Sequence, residues 1–397
     1  MIVLYNKGKV ILKNEIFMGS VMVDNGIITE ITRLDGPFFG PYSVLAGVRA
    51  RMGIIPDIVI EAEGNYISPG FIDTHVHGAM GHDVMDATPD GLLAIAKAHR
   101  AHGCTSFLPT TLTSESSRIK AAVRNVYDVM QSQPDPNEYA RILGVHLEGP
   151  CFSMKYKGAQ NPKYLAKPSV ELFNELDSYG ITKRISMAPE LTGALKTARH
   201  FASRGVNISV AHSDADFACV KAATAYGFSH ITHMYNGMSY VNSPDYYCKT
   251  GVVEAGLLLD ALTCEVIADG KHMPVEILQL LYKCKGPDGL LLTTDSTRPT
   301  LMPEGNYELG GLDVLVTDGV AMLADRTSFA GSVATCDRLV RFAYKECGFP
   351  LHEAVKMASL NHARIIGMDK EIGSIEIGKR GDIIVFDEDI NQKNDLG

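Results

Sequence analysis

The chain opens on short apolar runs of period two. Met1–Tyr5, Lys9–Leu12, Phe17–Val23 and Ile27–Thr32 are rich in β-branched residues and are punctuated by Lys-Gly and Asn-Gly turns. That pattern predicts a small β-sheet within residues 1–66. It returns after residue 370, where Gly373–Asp387 reads as two strands around a turn. The simplest assembly joins both ends, residues 1–66 and 371–397, into one small β domain.

Between them, over residues 67–370, the period switches back and forth. Strands are predicted at Ile72–His77, Thr105–Pro109, Ile142–Glu148, Arg184–Ala188, Asn207–His212, His230–His233, Leu262–Ala268 and Leu290–Asp295. Helices are predicted at Asp90–Gly103, Glu115–Gln133, Ser169–Tyr179, Thr192–Arg204, Asp216–Ala225, Pro274–Lys285, Val333–Cys347 and Leu351–Leu360. About eight strands alternating with helices call for a parallel sheet with right-handed crossovers. A closed (β/α)8 barrel fits the count best.

Composition narrows the classes. A formal net charge of -9 leaves no basic footprint, so nucleic acid is not an expected partner. No apolar stretch is long enough to span a bilayer, and the first residues, Met1–Lys7, lack the pattern of a signal peptide. The eight cysteines are scattered with no CxxC pair, which argues for a reduced, cytoplasmic protein rather than a zinc ribbon or disulfide framework. Cys151 follows Gly-Pro beside a candidate ligand, and a buried structural thiol is its expected role rather than a nucleophile.

Active sites of β/α barrels lie where the strands end. His75 and His77 end the first predicted strand and share one face, because alternate side chains on a strand project together. Glu148, His212, His233 and Asp295 each end a later one. Any one of them has an ordinary explanation: a hydrogen-bonded histidine, a cap before Gly-Pro, an Asx-turn before Ser-Thr. Six metal-competent groups on one rim are not explained that way. Histidines with carboxylates suit one or two divalent ions such as Zn2+ or Fe2+. Such a site activates water at neutral pH, and an aspartate beside that water can carry its proton. His146 and His230, upstream of Glu148 and His233, are expected to be structural or to orient a ligand.

The segments PGFIDTHVHG, GVHLEGPCFS, KGAQNP, VAHSDA, ITHMYNGM, IADGKHMP, LTTDS, FAGS and IGSIEIGKRGDIIVFD resemble the amidohydrolase superfamily, in its N-acetylglucosamine-6-phosphate deacetylase branch. The resemblance covers nearly the whole chain. It implies a TIM-like (β/α)8 barrel with a small β-sandwich built from both termini. It also implies hydrolysis of the N-acetyl group of an amino-sugar phosphate, in a cytoplasmic homodimer. By the same resemblance Glu148, His212 and His233 hold the main metal, while His75 and His77 hold a second with Glu148 bridging. Asp295 is the general base and then acid, and His272 polarises the acetyl carbonyl. Asn236 and Gly237 contact the sugar phosphate, Ala159 and Gln160 line the sugar pocket, and Ala330, Gly331 and Ser332 close one side.

The chain departs from the family in two places. The arginine that usually follows the Asn of the THMYNGM-type motif and binds phosphate is missing from Ser239–Gly251, where Lys249 is either a point charge in its place or a solvated surface lysine. An apolar insertion occupies the region around residues 35–60. Two other readings stand beside a phosphosugar deacetylase: a deacetylase of a different N-acyl amino sugar or other N-acyl compound, phosphorylated or not, and a silent barrel that binds a sugar phosphate.

Overall fold

The computed structural model describes residues 1–34, 55–243 and 246–393. The core of the insertion noted above, residues 35–54, lies outside the described residues.

Five strands come from the N-terminal region: β1 (Ile2–Ile11), β2 (Ile16–Asp24), β3 (Ile27–Arg33), β4 (Ile58–Glu61) and β5 (Tyr66–Pro69). They form one sheet, completed by a strand from the other end of the chain, Ile383–Phe386, which pairs antiparallel with β5. The expected break at Lys7-Gly8 is a register shift within one continuous strand, because both halves of β1 pair with β2. The stretch 373–378 forms no strand, and the expected C-terminal pair reduces to one. Alternation decides which face is covered. Val10, Phe17, Val21, Ile28, Ile67, Ile375 and Val385 form the buried cluster of this sheet.

Eight parallel strands follow: β6 (Phe71–Val76), β7 (Cys104–Thr111), β8 (Val145–Glu148), β9 (Thr182–Met187), β10 (Asn207–Val210), β11 (Phe228–Ile231), β12 (Thr263–Val266) and β13 (Leu290–Leu292). Each is hydrogen-bonded to the next in chain order. The ring closes between the eighth strand's exit and the first strand, where Asp295 N donates to His75 O at 3.1 Å and His77 N to Ser296 O at 2.9 Å. This is the TIM-like barrel that the alternation predicts.

Helices cover the barrel because their apolar residues recur at helical spacing. In Ser116–Ser132 the buried residues include Ile119, Val123, Val126 and Val129, and each such side chain contributes about 1.5–3 kcal/mol by leaving water. The barrel interior is polar instead. Asp73, His75, His146, Arg184, Ser186, Ser209, His230, Thr232 and Glu265 are buried there.

Several elements lie outside the predicted set, among them strands β4 and β5, the helix Leu360–Ile365 and the two that follow here. Val252–Leu258 is helical although Val252, Val253 and Gly256 favour helices poorly. Its first turn is held by a local cap and a contact from the preceding loop: Glu254 accepts from the N-cap Gly251 N at 2.7 Å and from Val241 N at 3.1 Å. A three-stranded antiparallel sheet of β14 (Gly305–Leu309), β15 (Leu312–Thr317) and β16 (Val320–Leu323) follows the eighth barrel strand.

Candidate active site

The strand-end residues do converge. His75 Nε2 lies 3.5 Å from Glu148 Oε1 and 3.4 Å from Asp295 Oδ1. His77 Nε2 lies 3.4 Å from Glu148 Oε2 and 3.4 Å from Asp295 Oδ1. On the other side, Glu148 Oε1 is 3.2 Å from His233 Nε2 and 3.5 Å from His212 Nε2. All six side chains are buried.

The backbone aims them. His212, His233 and Asp295 sit just past their strands at φ of +44°, +28° and +48°, a region that side chains with a Cβ rarely adopt. Strain of this kind gathers where geometry serves chemistry. Two glycines make room. A Cβ on Gly237 would stand 2.7 Å from His212 Nδ1, and one on Gly331 would stand 2.6 Å from Asp295 O.

Outer partners decide which imidazole nitrogen faces inward. His75 Nδ1 donates to Glu265 Oε1 at 2.7 Å, His77 Nδ1 to Thr110 O at 3.2 Å, and His212 Nδ1 to Tyr156 O at 2.9 Å. A carbonyl or carboxylate only accepts, so each ring keeps a proton on its outer nitrogen, and in the neutral ring a lone pair on Nε2 points in. The Nε2 atoms of His75 and His77 then face each other at 3.1 Å. Two lone pairs at that distance call for a cation between or beside them.

The carboxylates favour positive charge at this floor, whether a proton on His77 or an ion carries it. Burial alone would lower the pKa of His77, but hydrogen bonds to Asp295 and Glu148 outweigh it and push it up to about 10. Burial opposes ionisation of Glu148, yet the charge of His75 and hydrogen bonds from His212, His233 and His77 hold it well below the usual carboxylate range. Asp295 is lowered in the same way, against burial, by His75 and His77. Two groups here have the composition and spacing of divalent-metal sites: Glu148 with His212 and His233, and His75 with His77 and Glu148. The donor set thus fits a divalent ion, and two sets sharing Glu148 are present.

Above this floor opens a cavity of about 430 Å³, within the usual range for small-ligand sites of roughly 300–1,000 Å³. Ala159, Gln160, Asn236, Gly237, His272 and Gly331 line it. Gln160 ties the wall to the floor, donating to Glu148 Oε2 at 2.7 Å and accepting from Thr113 N at 2.9 Å. His272 Nδ1 donates to Asp269 Oδ2 at 2.9 Å, and its Nε2 is buried without a partner on the cavity side.

Three expected contacts are not cavity walls. Ala330 and Ser332 are buried behind Gly331, and the Ser332 hydroxyl donates to Thr294 O at 2.5 Å. Lys249 is exposed and outside the lining; its backbone pairs with Asn242. The Cys151 thiol is pushed up to about 12 by burial, which leaves it inert.

Sequence reasoning missed several participants. Glu265, Arg184 and Asp269 stand behind the histidines; Leu309 and Met322 line the cavity from the β14–β16 sheet, and Arg326, Thr327, Ser328 and Phe329 from the segment that follows it. For Glu265 the signal was its position within a predicted strand, on the inward face.

A β/α barrel whose strand ends carry such a donor set defines a metal-dependent hydrolase class. The chain belongs to the amidohydrolase family, whose model matches residues 66–396. It is 37% identical to N-acetylglucosamine-6-phosphate deacetylase from Vibrio furnissii, over 82% of this chain and 80% of the relative. It is 35% identical to N-acetylgalactosamine-6-phosphate deacetylase from Escherichia coli O157:H7, over 87% and 90%. Among solved structures, a mutant of the Mycobacterium smegmatis N-acetyl-D-glucosamine-6-phosphate deacetylase, in complex with N-acetyl-D-glucosamine-6-phosphate, matches with a TM-score of 0.85. It is 27% identical, with 99% of this chain and 96% of that chain covered.

Proposed function

We propose that this enzyme hydrolyses N-acetylglucosamine-6-phosphate to glucosamine-6-phosphate and acetate. The observation that carries the reading is the buried floor itself: inward-facing imidazole lone pairs gathered on Glu148, with Asp295 alongside, beneath a sugar-sized cavity. Glu148, His212 and His233 would hold one divalent ion, and His75 and His77 with Glu148 a second, Zn2+ or Fe2+ in each case. Such an ion, when bound, polarises a carbonyl and acidifies water.

The chain's own residues supply the rest. Asp295, held ionised, takes a proton as water adds to the acetyl carbonyl. It returns that proton to the nitrogen as the C–N bond breaks, so amide and water become amine and acetate. His272, oriented by Asp269, turns Nε2 toward the cavity, where it can steady the charge growing on the carbonyl oxygen. Gln160 fixes Glu148, and Asn236 and Gly237 offer polar contacts to the sugar.

We extend the reading to a homodimer in the cytoplasm. Tyr240, Val241, Tyr246, Tyr247 and Leu258 present exposed apolar surface of the kind a second copy covers. All eight cysteines are free, as a reducing compartment keeps them. No helix among the described residues is long and apolar enough to cross a membrane.

The test is acetate release from four sugars: N-acetylglucosamine and N-acetylgalactosamine, each with and without the 6-phosphate. The expected result is highest kcat/KM for N-acetylglucosamine-6-phosphate. Preference for the unphosphorylated sugars would overturn the substrate, preference for the galactosamine epimer would change the sugar, and binding without turnover would leave a silent barrel.

A further inference from the structure

Given that reading of the substrate, its phosphate needs a cation, and the expected one is absent. Lys249 does not line the cavity. Among the described residues that do, Arg326 is the only Arg or Lys. It sits in the turn that follows β16, at φ +59°, with its N–H donating to Leu323 O at 2.7 Å. The turn is tied from both sides: Leu323 N donates to Ser328 O at 2.9 Å and Ala324 N to Asp313 O at 2.9 Å. The neighbouring carboxylate is already engaged, since Asp325 Oδ1 accepts from Thr327 N at 3.0 Å and from Thr327 Oγ1 at 2.6 Å. Among the described residues the Arg326 guanidinium has no hydrogen-bond or ion-pair partner, and the residue is exposed.

The cavity therefore has two distinct ends. Glu148 and Asp295 lie buried at its floor, and an unpaired guanidinium stands at its mouth. A 2-acetamido sugar 6-phosphate also has two ends, with the neutral amide at C2 and the dianion across the ring at C6. The floor, which carries the groups that cleave the amide, takes the C2 end, which leaves the C6 phosphate for the mouth. We propose that Arg326 binds the substrate phosphate, and that the β14–β16 sheet thereby sets the preference for phosphorylated sugars. A guanidinium fork suits phosphate oxygens better than a lysine ammonium does.

The test compares wild type, Arg326→Ala, Arg326→Lys and Lys249→Ala on N-acetylglucosamine-6-phosphate and on N-acetylglucosamine. Alanine keeps a non-glycine residue at the same φ, so the strain of the turn is unchanged. Arg326→Ala should lower kcat/KM for the phosphorylated sugar about tenfold or more, mainly through KM. It should leave the unphosphorylated sugar unchanged, and Arg326→Lys should fall between. Lys249→Ala should match wild type. Equal losses on both sugars, or no loss, would overturn the proposal, as would a phosphate-specific loss in Lys249→Ala.

Calorimetric titration with inorganic phosphate reads the same contact without turnover. Affinity lost in Arg326→Ala, in an enzyme that does not hydrolyse the phosphosugar, would keep the contact and refute the substrate. Undiminished affinity in that variant would refute the contact.

Discussion

Glu265 and His75 are joined by a 2.7 Å hydrogen bond across 190 residues of sequence. Glu265 lies on the seventh barrel strand and His75 on the first. The same Oε1 accepts from His233 N at 3.2 Å, and Oε2 accepts from Arg184 Nη1. One buried carboxylate therefore fixes the inward lone pair of His75 and the backbone that carries His233. Replacing it weakens both halves of the floor at once. Glu265→Gln should reduce divalent-metal affinity by about 10–100-fold, as loss of a ligand's outer partner commonly does. Metal content after dialysis against a graded chelator checks this, and wild-type retention would show that the bond does not tune the site.

Arg184 makes that carboxylate tenable. Its guanidinium is fully buried, and its Nε and Nη2 donate to Ser209 Oγ at 3.0 Å and Thr232 Oγ1 at 2.9 Å. The charge of Arg184 is the leading cause that lowers the Glu265 pKa, against burial. Removing one partner strands the other, at a cost of roughly 3–5 kcal/mol. Arg184→Met should destabilise by that order, and Arg184→Met with Glu265→Gln should recover part of the loss. Urea unfolding of the four proteins closes the cycle, and additive effects would refute the coupling.

The metal-competent residues were legible because each ends a strand in a repeating pattern, and strand ends form one rim. The residues behind them were not. Arg184 and Glu265 are ordinary charged residues on short strands, and only the closed barrel brings them together. The β14–β16 sheet was missed although Gly310-Gly311 and Asp318-Gly319 mark its turns, because the βα alternation drew the reading straight from Asp295 to the next helix. Lys249 was open both ways in the sequence. Its sequence position allowed a phosphate contact, while the fold pairs its backbone with Asn242 and leaves it off the cavity.

Acid should destabilise the fold through buried histidines outside the ligand set. Burial lowers His99 to about 3, helped by the charge of His102, and burial lowers His362 to about 4. The unfolded chain binds these protons below about 6.5, and the folded protein does not until pH 4 or 3. Stability is thus full above about pH 6.5 and falls as the pH drops, by about 1.4 kcal/mol per unit for each histidine. At about pH 5 the two together cost about 4 kcal/mol. Urea midpoints at about pH 7.5 and 5.0, in chelator so that metal release does not contribute, measure the slope. His362→Asn should flatten it even where it lowers the plateau, and an unchanged slope would assign the effect elsewhere.

Asp295 offers the sharpest test of the chemistry, because it touches both the proton and the donor set. Its Oδ1 lies 3.4 Å from the Nε2 atoms of His75 and His77, and its φ of +48° is imposed by the strand exit. Asn keeps the shape and tolerates that backbone conformation, but cannot accept a proton. Asp295→Asn should lower kcat by about 10²–10⁴-fold while changing glucosamine-6-phosphate affinity only a few-fold. Because Asp295 is also a candidate ligand, metal content must be measured on the same samples. Retained metal with lost turnover assigns the proton transfer to this carboxylate. Parallel loss of metal and turnover would make it a ligand first, and full activity would remove it from the mechanism.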